Sequence, residues 1–241
     1  MKASELQSAN YFHGLIYGDA GMGKTCLASQ FPGPVEYWDF DGKISSAVRY
    51  LTTQGKAKQL DEIEVHQFAS LAPKERVPAW ERRSQLIDSL TLNKQPLPFK
   101  TLVLDSLTMF SHYIMEDYII RSQTGIKRAL PGINALQDYQ LYDKHMTRIL
   151  VGMLSLPCHV VVLGHMETVK DENTGIIKHQ PLASGQKLVG KLPAWFEEVY
   201  VARFDKDGKR VLQTQPGDGY VARGQRGLDK FVPLDIEVLL R

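Results

Sequence analysis

The sequence lacks several features that would define a specialised class of protein. It has only two cysteines among 241 residues, Cys26 and Cys158, and they show no metal-ligand spacing. This excludes a disulfide framework and favours a reducing cytoplasm, where thiols stay free. There is no repeat and no low-complexity tract, and a composition of 43% hydrophobic and 23% charged residues is ordinary for a globular domain with a large core.

Long apolar runs and a strong net charge are lacking as well. No run approaches the roughly 20 apolar residues that a membrane-spanning helix needs. The polar residues 1–10 lack the apolar centre of a signal peptide. The formal net charge of +2 is too small to imply a nucleic-acid partner by itself. We therefore expect no membrane partner, and any basic surface must be local.

A glycine-rich stretch carries the strongest chemical signal in the chain. The phosphate-binding motif G-x-x-x-x-G-K-[ST] is matched by Gly18, Asp19, Ala20, Gly21, Met22, Gly23, Lys24 and Thr25, with Cys26 following. The apolar residues 15–17 predict the end of a strand, and residues 25–31 predict a helix. Backbone N–H groups of such a loop bind phosphate oxygens. We expect Lys24 to reach the β- and γ-phosphates and Thr25 to ligate Mg²⁺.

An acid after an apolar run suggests the metal partner of this loop. Residues 101–104 form a largely apolar run that ends at Asp105, as in a strand buried on both faces of a parallel sheet. Asp105 fits a Walker B acid, which would hold Mg²⁺ together with Thr25. The alternative is that Asp105 caps the following helix, with Ser106.

Two further acids and a histidine could act on a bound nucleotide. Asp39 and Asp41 lie on one side of a strand predicted over 35–41. We assign Asp41, at the strand tip, as the catalytic carboxylate that orients the attacking water, with Asp39 as the alternative. The competing interpretation is that such acids bind turn N–H groups. His165 ends the strand predicted over 160–164 and could sense the γ-phosphate there, or be an ordinary polar residue.

The sequence lacks the motifs of a guanine-nucleotide site and of a zinc site. Guanine recognition uses Asn-Lys-x-Asp, whereas residues 93–96 read Asn-Lys-Gln-Pro, so ATP is preferred over GTP. The remaining histidines, including His13 and His112, show no ligand spacing, so we expect no zinc. The adenine pocket is not defined by a motif, although Tyr50 is a candidate for it.

Predicted strands and helices alternate along the chain before a β-rich end. This order predicts an α/β fold, a mostly parallel twisted sheet flanked by helices with antiparallel C-terminal strands. We expect a single domain over 1–241, with a lead-in at 1–12, a mobile loop at 166–184 and a β-rich part at 198–241. A turn at 171–175 between residues 169–170 and 176–178 makes a projecting strand–turn–strand hairpin the alternative to a mobile loop. Besides those above, the predicted strands are 63–68, 198–204, 210–215 and 220–223, and the long predicted helices are 77–92, 107–121 and 133–156.

The order of these motifs resembles the RecA-like P-loop NTPase core of RecA and RadA. More narrowly, nearly the whole chain resembles the phage-encoded RecA-like ATPases of the Sak single-strand annealing type. The resemblance implies binding of ATP and Mg²⁺ and hydrolysis with Asp41 as the catalytic acid, where the wider family has glutamate. It also implies that His165, in place of the family's amide residue, couples the nucleotide to a DNA-binding loop.

The same resemblance implies DNA and self-association as binding partners. Two loops bind DNA in that core, and they correspond to residues 122–134 and 166–184. The cations placed to meet single-stranded DNA are Lys127, Arg128, Lys170 and Lys178, each of which could also be an ordinary solvated side chain. The core assembles into rings or filaments with the nucleotide between protomers. This implies trans-acting Arg223 and Arg226, whose alternative is a role as surface arginines.

We therefore expect a cytoplasmic, oligomeric, Mg-dependent ATPase that DNA stimulates and that assists annealing or recombination in phage DNA metabolism. It would act in the host bacterial cytoplasm if phage-encoded, with a single-strand binding protein as a further partner. A helicase loader or other replication motor would share every nucleotide residue and differ in its partner. A small-molecule kinase would need an arginine-rich lid and a second pocket, which the sequence does not reveal. A nucleotide-gated scaffold is a further alternative if Asp41 is not catalytic.

Overall fold

A central sheet and a separate hairpin organise the protein. The computed structural model describes residues 11–93, 96–120, 136–170, 172 and 175–241. In this part of the chain, eight strands form one sheet and two more form the hairpin. The strands are β1 (His13–Gly18), β2 (Val35–Asp39), β3 (Ile63–Gln67), β4 (Thr101–Asp105), β5 (His159–Gly164), β6 (Met166–Lys170), β7 (Ile177–Pro181), β8 (Glu198–Phe204), β9 (Arg210–Gln213) and β10 (Phe231–Pro233).

The order of the sheet is β10-β9-β8-β1-β5-β4-β2-β3. The strands from β8 to β3 run parallel, and β9 and β10 add antiparallel strands at one edge. The mostly parallel sheet with antiparallel C-terminal strands confirms the predicted fold class. Because parallel strands end at the same edge, the carboxyl ends of β1, β2, β4 and β5 meet there.

Helices cover the sheet, and two of them differ from the sequence predictions in where they begin or end. The helices are α1 (Lys24–Ala28), α2 (Ser45–Thr53), α3 (Pro73–Asn93), α4 (Leu107–Tyr113), α5 (Leu136–Leu154), α6 (Gln186–Trp195) and α7 (Ile236–Leu239). The helix α3 begins four residues before the predicted start, because Pro73 suits a first helical position and the Glu75 carboxylate accepts the Ala72 N–H at 3.0 Å. After α4 the chain continues as a π-helix over Ile114–Ile120.

Within the described residues, no helix is long and apolar enough to cross a membrane. The sheet is buried on both faces, as the continuous apolar strands predict. Leu102 and Leu104 of β4 pack into one apolar cluster, and Val103 packs into another on the opposite face. Every residue of β2 and β4 is buried. Because both faces of the sheet are covered, the strand ends are the positions where polar side chains can reach the surface.

The β6–β7 hairpin follows β5 directly and confirms the expected strand–turn–strand pattern between 166 and 181. Its base is closed by a hydrogen bond from the Leu182 N–H to the His165 carbonyl at 2.8 Å. The third C-terminal strand was predicted over 220–223, and this prediction is wrong. Tyr220 makes isolated bridges to His179 and Gly217, and Arg223 makes one to Val199, so no continuous pairing forms over 220–223. The third strand is instead β10, paired with β9.

Candidate nucleotide-binding and catalytic site

The phosphate loop (residues 18–25) lies at the carboxyl edge of the sheet, between β1 and α1. Gly21 and Gly23 have φ of 79° and 92°, left-handed values that glycine adopts without strain. The Lys24 ammonium lies inside the loop and donates to the carbonyls of Gly18 and Asp19 at 2.7 and 2.8 Å. Burial lowers the pKa of Lys24 to about 8, although nearby carboxylates, Asp105 first, oppose this shift. The Lys24 ammonium is therefore bound by carbonyl groups of its own loop.

Asp105 faces the loop from the end of β4. Its Oδ2 accepts hydrogen bonds from the Thr25 hydroxyl at 2.8 Å and from the Tyr37 hydroxyl at 2.6 Å. Burial raises the pKa of Asp105 to about 6, although these two donors act in the opposite direction. The helix α4 is capped by Ser106, whose hydroxyl accepts the Met109 N–H. This leaves the Asp105 carboxylate directed at the loop and not at the helix.

The oxygen atoms around Thr25 and Asp105 suit a hard divalent cation. A hydroxyl and a carboxylate oxygen 2.8 Å apart offer the donor type that Mg²⁺ prefers, beside a loop built for phosphate. The buried carboxylate is offset by hydroxyl donors and not by a direct ion pair among the described residues, so a cation there would meet an uncompensated charge. The residues present therefore fit Mg²⁺, with Thr25 and Asp105 as the side chains that would hold it.

Asp41 and His165 meet at the same edge, from the tips of β2 and β5. The His165 Nε2 lies 2.9 Å from Asp41 Oδ2, and the Ser106 hydroxyl donates to Asp41 Oδ1 at 2.6 Å. Lys43 adds an ion pair to Asp41 at 3.3 Å. Burial alone would raise the pKa of Asp41, but the hydrogen bonds from His165 and Ser106 and the charge of Lys43 lower it to about 2. Asp41 is therefore ionised and held in place by three donors.

Asp39 has a different environment from Asp41. Its carboxylate is fully buried and accepts backbone N–H groups of the following turn, from Gly42 at 2.7 Å, Lys43 at 3.3 Å and Ile44 at 3.4 Å. Burial raises the pKa of Asp39, against these hydrogen bonds. The geometry thus gives Asp39 the turn-forming role and leaves Asp41 as the acid that faces the loop.

Residues 20–25 of the phosphate loop, Cys26, Asp41, Asp105 and His165 line one cleft of about 460 Å³. The sequence-predicted residues of the nucleotide site are therefore brought together. The cleft is also lined by Lys43, Arg49 and Arg210, which sequence reasoning missed. Tyr50, the candidate for the adenine pocket, is not among the described residues that line the cleft; Arg49, the residue before it, is. Arg210 carried no motif that could have identified it.

Arg223 and Arg226 lie away from this cleft. Arg223 bridges Val199 within the sheet and is exposed, with its guanidinium donating to the Pro193 carbonyl at 3.2 Å. Arg226 donates to the Tyr11 carbonyl at 2.7 Å and lies 3.9 Å from the buried Glu198. These contacts occupy Arg226 at the edge where β1 begins, opposite the phosphate loop. The geometry gives Arg226 a packing role, and only Arg223 remains available at the surface.

The predicted DNA-binding cations divide between the hairpin and a part of the chain outside the described residues. Lys127 and Arg128 fall outside the described residues. Lys170 and Lys178 lie on β6 and β7 and are both exposed. Lys178 pairs with Val169 and Lys170 with Ile177, so the two side chains project from opposite faces of the hairpin. The hairpin thus presents two cations on a short projecting element.

Hydrogen bonds connect the hairpin to the nucleotide site at two places. The His165 N–H donates to the Thr108 hydroxyl at 3.0 Å, and that hydroxyl donates to the Leu182 carbonyl at 2.7 Å. On the other side, the buried Tyr17 hydroxyl, one residue before the phosphate loop, lies within hydrogen-bond distance of two carbonyls, that of Val221 at 2.7 Å and that of His179 at 3.0 Å. Both ends of the hairpin are therefore tied to residues adjacent to the site.

Comparisons with known proteins agree with this architecture. A family model described as an AAA domain (AAA_24) matches residues 11–226. The crystal structure of a RadB recombinase is similar with 16% identity and a TM-score of 0.50, covering 90% of this chain and 83% of that chain. A KaiC-like protein from the hyperthermophilic archaeon Pyrococcus horikoshii OT3 is similar with 13% identity and a TM-score of 0.43, covering 83% and 76%. The similarity to the RadB recombinase bears on the fold alone. The TM-score of the KaiC-like protein is too low to bear on fold or function. No curated protein matches the sequence significantly.

Proposed function

Because the chain belongs to the AAA domain family of P-loop ATPases, we propose that it hydrolyses ATP with Mg²⁺ and couples hydrolysis to single-stranded DNA. The observation that carries this proposal is the contact between Asp41 and His165, 2.9 Å apart. Asp41 would be the catalytic acid, and His165 precedes a hairpin that carries two exposed cations. The cellular task is annealing or recombination of the Sak type in phage DNA metabolism.

Binding of ATP would use contacts that the loop now makes with itself. Lys24 would exchange the carbonyls of Gly18 and Asp19 for β- and γ-phosphate oxygens, at the N-terminus of α1. Thr25 and Asp105 would hold Mg²⁺, which when bound neutralises charge on the phosphates. The pKa of Asp105, raised to about 6, leaves the carboxylate ionised at neutral pH and so able to act as a ligand.

Hydrolysis requires Asp41 to orient the attacking water. With a pKa of about 2, Asp41 is a weak base, so it holds the water by accepting a hydrogen bond and does not remove a proton early. His165 and Lys43 both lie against its Oδ2, whereas among the described residues Oδ1 accepts from Ser106 alone and keeps a second acceptor position. Release of His165 would let Oδ2 accept the water as well, and His165 is the donor that leads directly into the hairpin.

DNA binding would act on this donor through the hairpin. Lys170 and Lys178, together with Lys127 and Arg128, would contact phosphates of a single strand, without reading its sequence. Movement of the hairpin would shift His165, which precedes β6 directly. It would also shift Tyr17, which contacts the His179 carbonyl. The expected consequence is an ATPase rate that rises when single-stranded DNA is bound.

Assembly completes the proposal. A ring or filament would place the exposed Arg223 of one protomer near the cleft of the next, where it would stabilise charge on the γ-phosphate. Arg226 is left out of this role, because its guanidinium is held by Tyr11 and Glu198. A single-strand binding protein would be a further partner in the cytoplasm of the host.

The test is the ATPase rate with and without single-stranded DNA, at two salt concentrations. We expect Mg-dependent hydrolysis that DNA stimulates at low salt and stimulates less at high salt. Lys24→Ala serves as the control that removes hydrolysis in both conditions. Hydrolysis that DNA leaves unchanged would remove the DNA part of the proposal and favour a kinase or scaffold. Absence of hydrolysis in every condition would remove the ATPase part.

A further inference from the structure

Lys43 lies at the cleft, beside the proposed catalytic acid, and has no assigned role in hydrolysis. Its side chain lines the cleft together with Asp41, Asp105 and His165. The Lys43 ammonium lies 3.3 Å from Asp41 Oδ2. The other lysine that lines the described cleft, Lys24, is bound by carbonyl groups of its own loop. Lys43 is therefore a second ammonium group at the end of the cleft where the carboxylates meet.

The backbone of Lys43 is fixed, whereas its side chain is half exposed to solvent. The Lys43 N–H donates to the buried Asp39 carboxylate at 3.3 Å, and the Lys43 carbonyl accepts the Ser46 N–H of α2 at 3.0 Å. Gly42 makes the turn before it, with φ of 70°. The side chain of Lys43 is 57% exposed. A flexible lysine stem on a fixed backbone can change the partner of its ammonium without moving the chain.

The ion pair between Lys43 and Asp41 is one that a nucleotide can displace. Such a pair contributes little to stability when its ammonium is solvated, because water replaces the partner at low cost. Asp41 keeps two other donors when Lys43 leaves, His165 at Oδ2 and Ser106 at Oδ1. Departure of Lys43 also returns one acceptor position to Oδ2, the oxygen that it shares with His165.

A bound triphosphate would give Lys43 a stronger partner than Asp41. A terminal phosphate carries about two negative charges at neutral pH. A carboxylate and a phosphate that contact the same water repel each other, and the repulsion is stronger because Asp41 is only 4% exposed. An ammonium beside both groups offsets this repulsion and stabilises charge that develops on the γ-phosphate. ADP has no γ-phosphate, so this partner exists only when ATP is bound.

We propose that Lys43 is a catalytic residue that moves from Asp41 to the γ-phosphate when ATP binds. This inference rests on the proposed ATP hydrolysis and adds a cation from the same chain as the phosphate loop. The proposed role of Arg223, by contrast, depends on a neighbouring protomer. Lys43 therefore distinguishes ATP from ADP within one protomer. Its departure links arrival of the γ-phosphate to an open acceptor position on Asp41.

Nucleotide titrations in a slowly hydrolysing background test this assignment. Asp41→Asn slows turnover, so ATP itself can be titrated by calorimetry, and it also removes the ion pair with Lys43. In this background we expect Lys43→Ala to weaken the binding of ATP with Mg²⁺ about tenfold. The binding of ADP with Mg²⁺ should stay within about twofold. Lys43→Arg, which keeps the positive charge, should retain most of the preference for ATP.

Turnover measured with Asp41 intact gives a second readout. Lys43→Ala should lower the turnover rate about a hundredfold. The loss should be the same at low and high protein concentration, because the cation comes from the chain that binds the nucleotide. Lys58→Ala is the matched control, since Lys58 is an exposed lysine outside the cleft lining. It should leave both affinities and the turnover rate unchanged.

The possible contradictions are separable. Equal losses of ATP and ADP affinity in Lys43→Ala would show a general attraction for phosphate and overturn the assignment. An unchanged ATP affinity in the Asp41→Asn background would show that Lys43 acts only by holding Asp41, and would overturn it as well. Unchanged turnover with Asp41 intact would exclude a catalytic role. A wild-type protein that binds neither nucleotide would overturn the proposed function and this inference with it, so the two failures are distinguishable.

Discussion

The Tyr37 hydroxyl donates to the same Oδ2 of Asp105 that accepts the Thr25 hydroxyl, at 2.6 and 2.8 Å. Tyr37 is fully buried, and its pKa is raised well above the ordinary value by burial and by the Asp105 charge, so it is a permanent donor. The acid that would hold Mg²⁺ is therefore oriented by a neighbouring strand. This relationship makes Tyr37 a positioning residue.

Tyr37→Phe removes that donor while keeping the ring. We expect a higher pKa for Asp105, weaker binding of Mg²⁺ with ATP, and a loss of about 1–3 kcal/mol in the free energy of unfolding, because a buried carboxylate loses a hydrogen bond. Magnesium titration of the ATPase rate and urea unfolding measure the two effects. Tyr113→Phe, on α4 and outside the cleft lining, is the control. A normal magnesium requirement would contradict the positioning role.

The stability of the nucleotide-free protein should fall as the pH rises through about 6. Asp105 has a folded-state pKa of about 6, above the value of about 3.9 in an unfolded chain. Such a group contributes stability that is fully present below the unfolded pKa and is lost as pH rises through the folded pKa. At pH 7.5 the free energy of unfolding of Asp105→Asn should therefore be higher than that of the wild type by about 1–2 kcal/mol, and the variant should lose this pH dependence.

Urea unfolding at pH 5 and pH 7.5 checks this prediction, with magnesium and nucleotide absent. The same variant should bind Mg²⁺ with ATP poorly, because an amide replaces the charged ligand. A variant that is less stable than the wild type at pH 7.5 would contradict the direction of the pKa shift.

His165→Ala should separate hydrolysis from DNA binding. Loss of the contact at 2.9 Å leaves Lys43 as the remaining partner of Asp41 Oδ2 and lets this oxygen accept the attacking water. We expect the basal ATPase rate to rise severalfold and stimulation by single-stranded DNA to disappear, while DNA affinity changes little. Asp41→Asn, by contrast, should lower hydrolysis about 10²–10⁴-fold with or without DNA. Steady-state rates across a DNA titration measure both, and normal stimulation in His165→Ala would exclude this coupling.

Arg223→Ala and Arg226→Ala should affect different properties, turnover in the first variant and stability in the second. Arg223→Ala should spare ATP binding and stability but slow turnover at concentrations where protomers assemble. Arg226→Ala should lower stability by about 1–3 kcal/mol, because it leaves the buried Glu198 without its cation. Thermal melts and turnover rates separate the two. Normal turnover in Arg223→Ala would mean that Arg223 is no trans-acting finger.

Local signals in the sequence predicted the phosphate loop, Asp41, Asp105 and His165. Each lies at or just past the carboxyl end of a strand, and parallel strands bring these ends together, so order along the chain was enough to join them. Tyr37 could not be found in this way. Its role depends on β2 and β4 being neighbours in the sheet, with Tyr37 opposite Val103, and no local pattern specifies that pairing.

The same reason explains Arg210 and the wrong strand at 220–223. Arg210 reaches the cleft only because β9 returns antiparallel beside β8. The run 220–223 has the apolar character of a strand, but Tyr220 and Arg223 meet different partners. Propensity describes a residue's own backbone preference, whereas a strand needs a neighbour along its length. Side chains recruited by tertiary pairing therefore lie beyond prediction from one sequence.

The closed base of the β6–β7 hairpin has a consequence for how this protein could diversify. The Leu182 N–H bond to the His165 carbonyl, with Thr108 joined to both residues, makes residues 166–181 a module with fixed ends. Such a module tolerates a change in its length or tip, because the backbone on either side is held independently of it. If the proposed function holds, exchanging the hairpin would direct the protein to a different polymer and leave the nucleotide site unchanged.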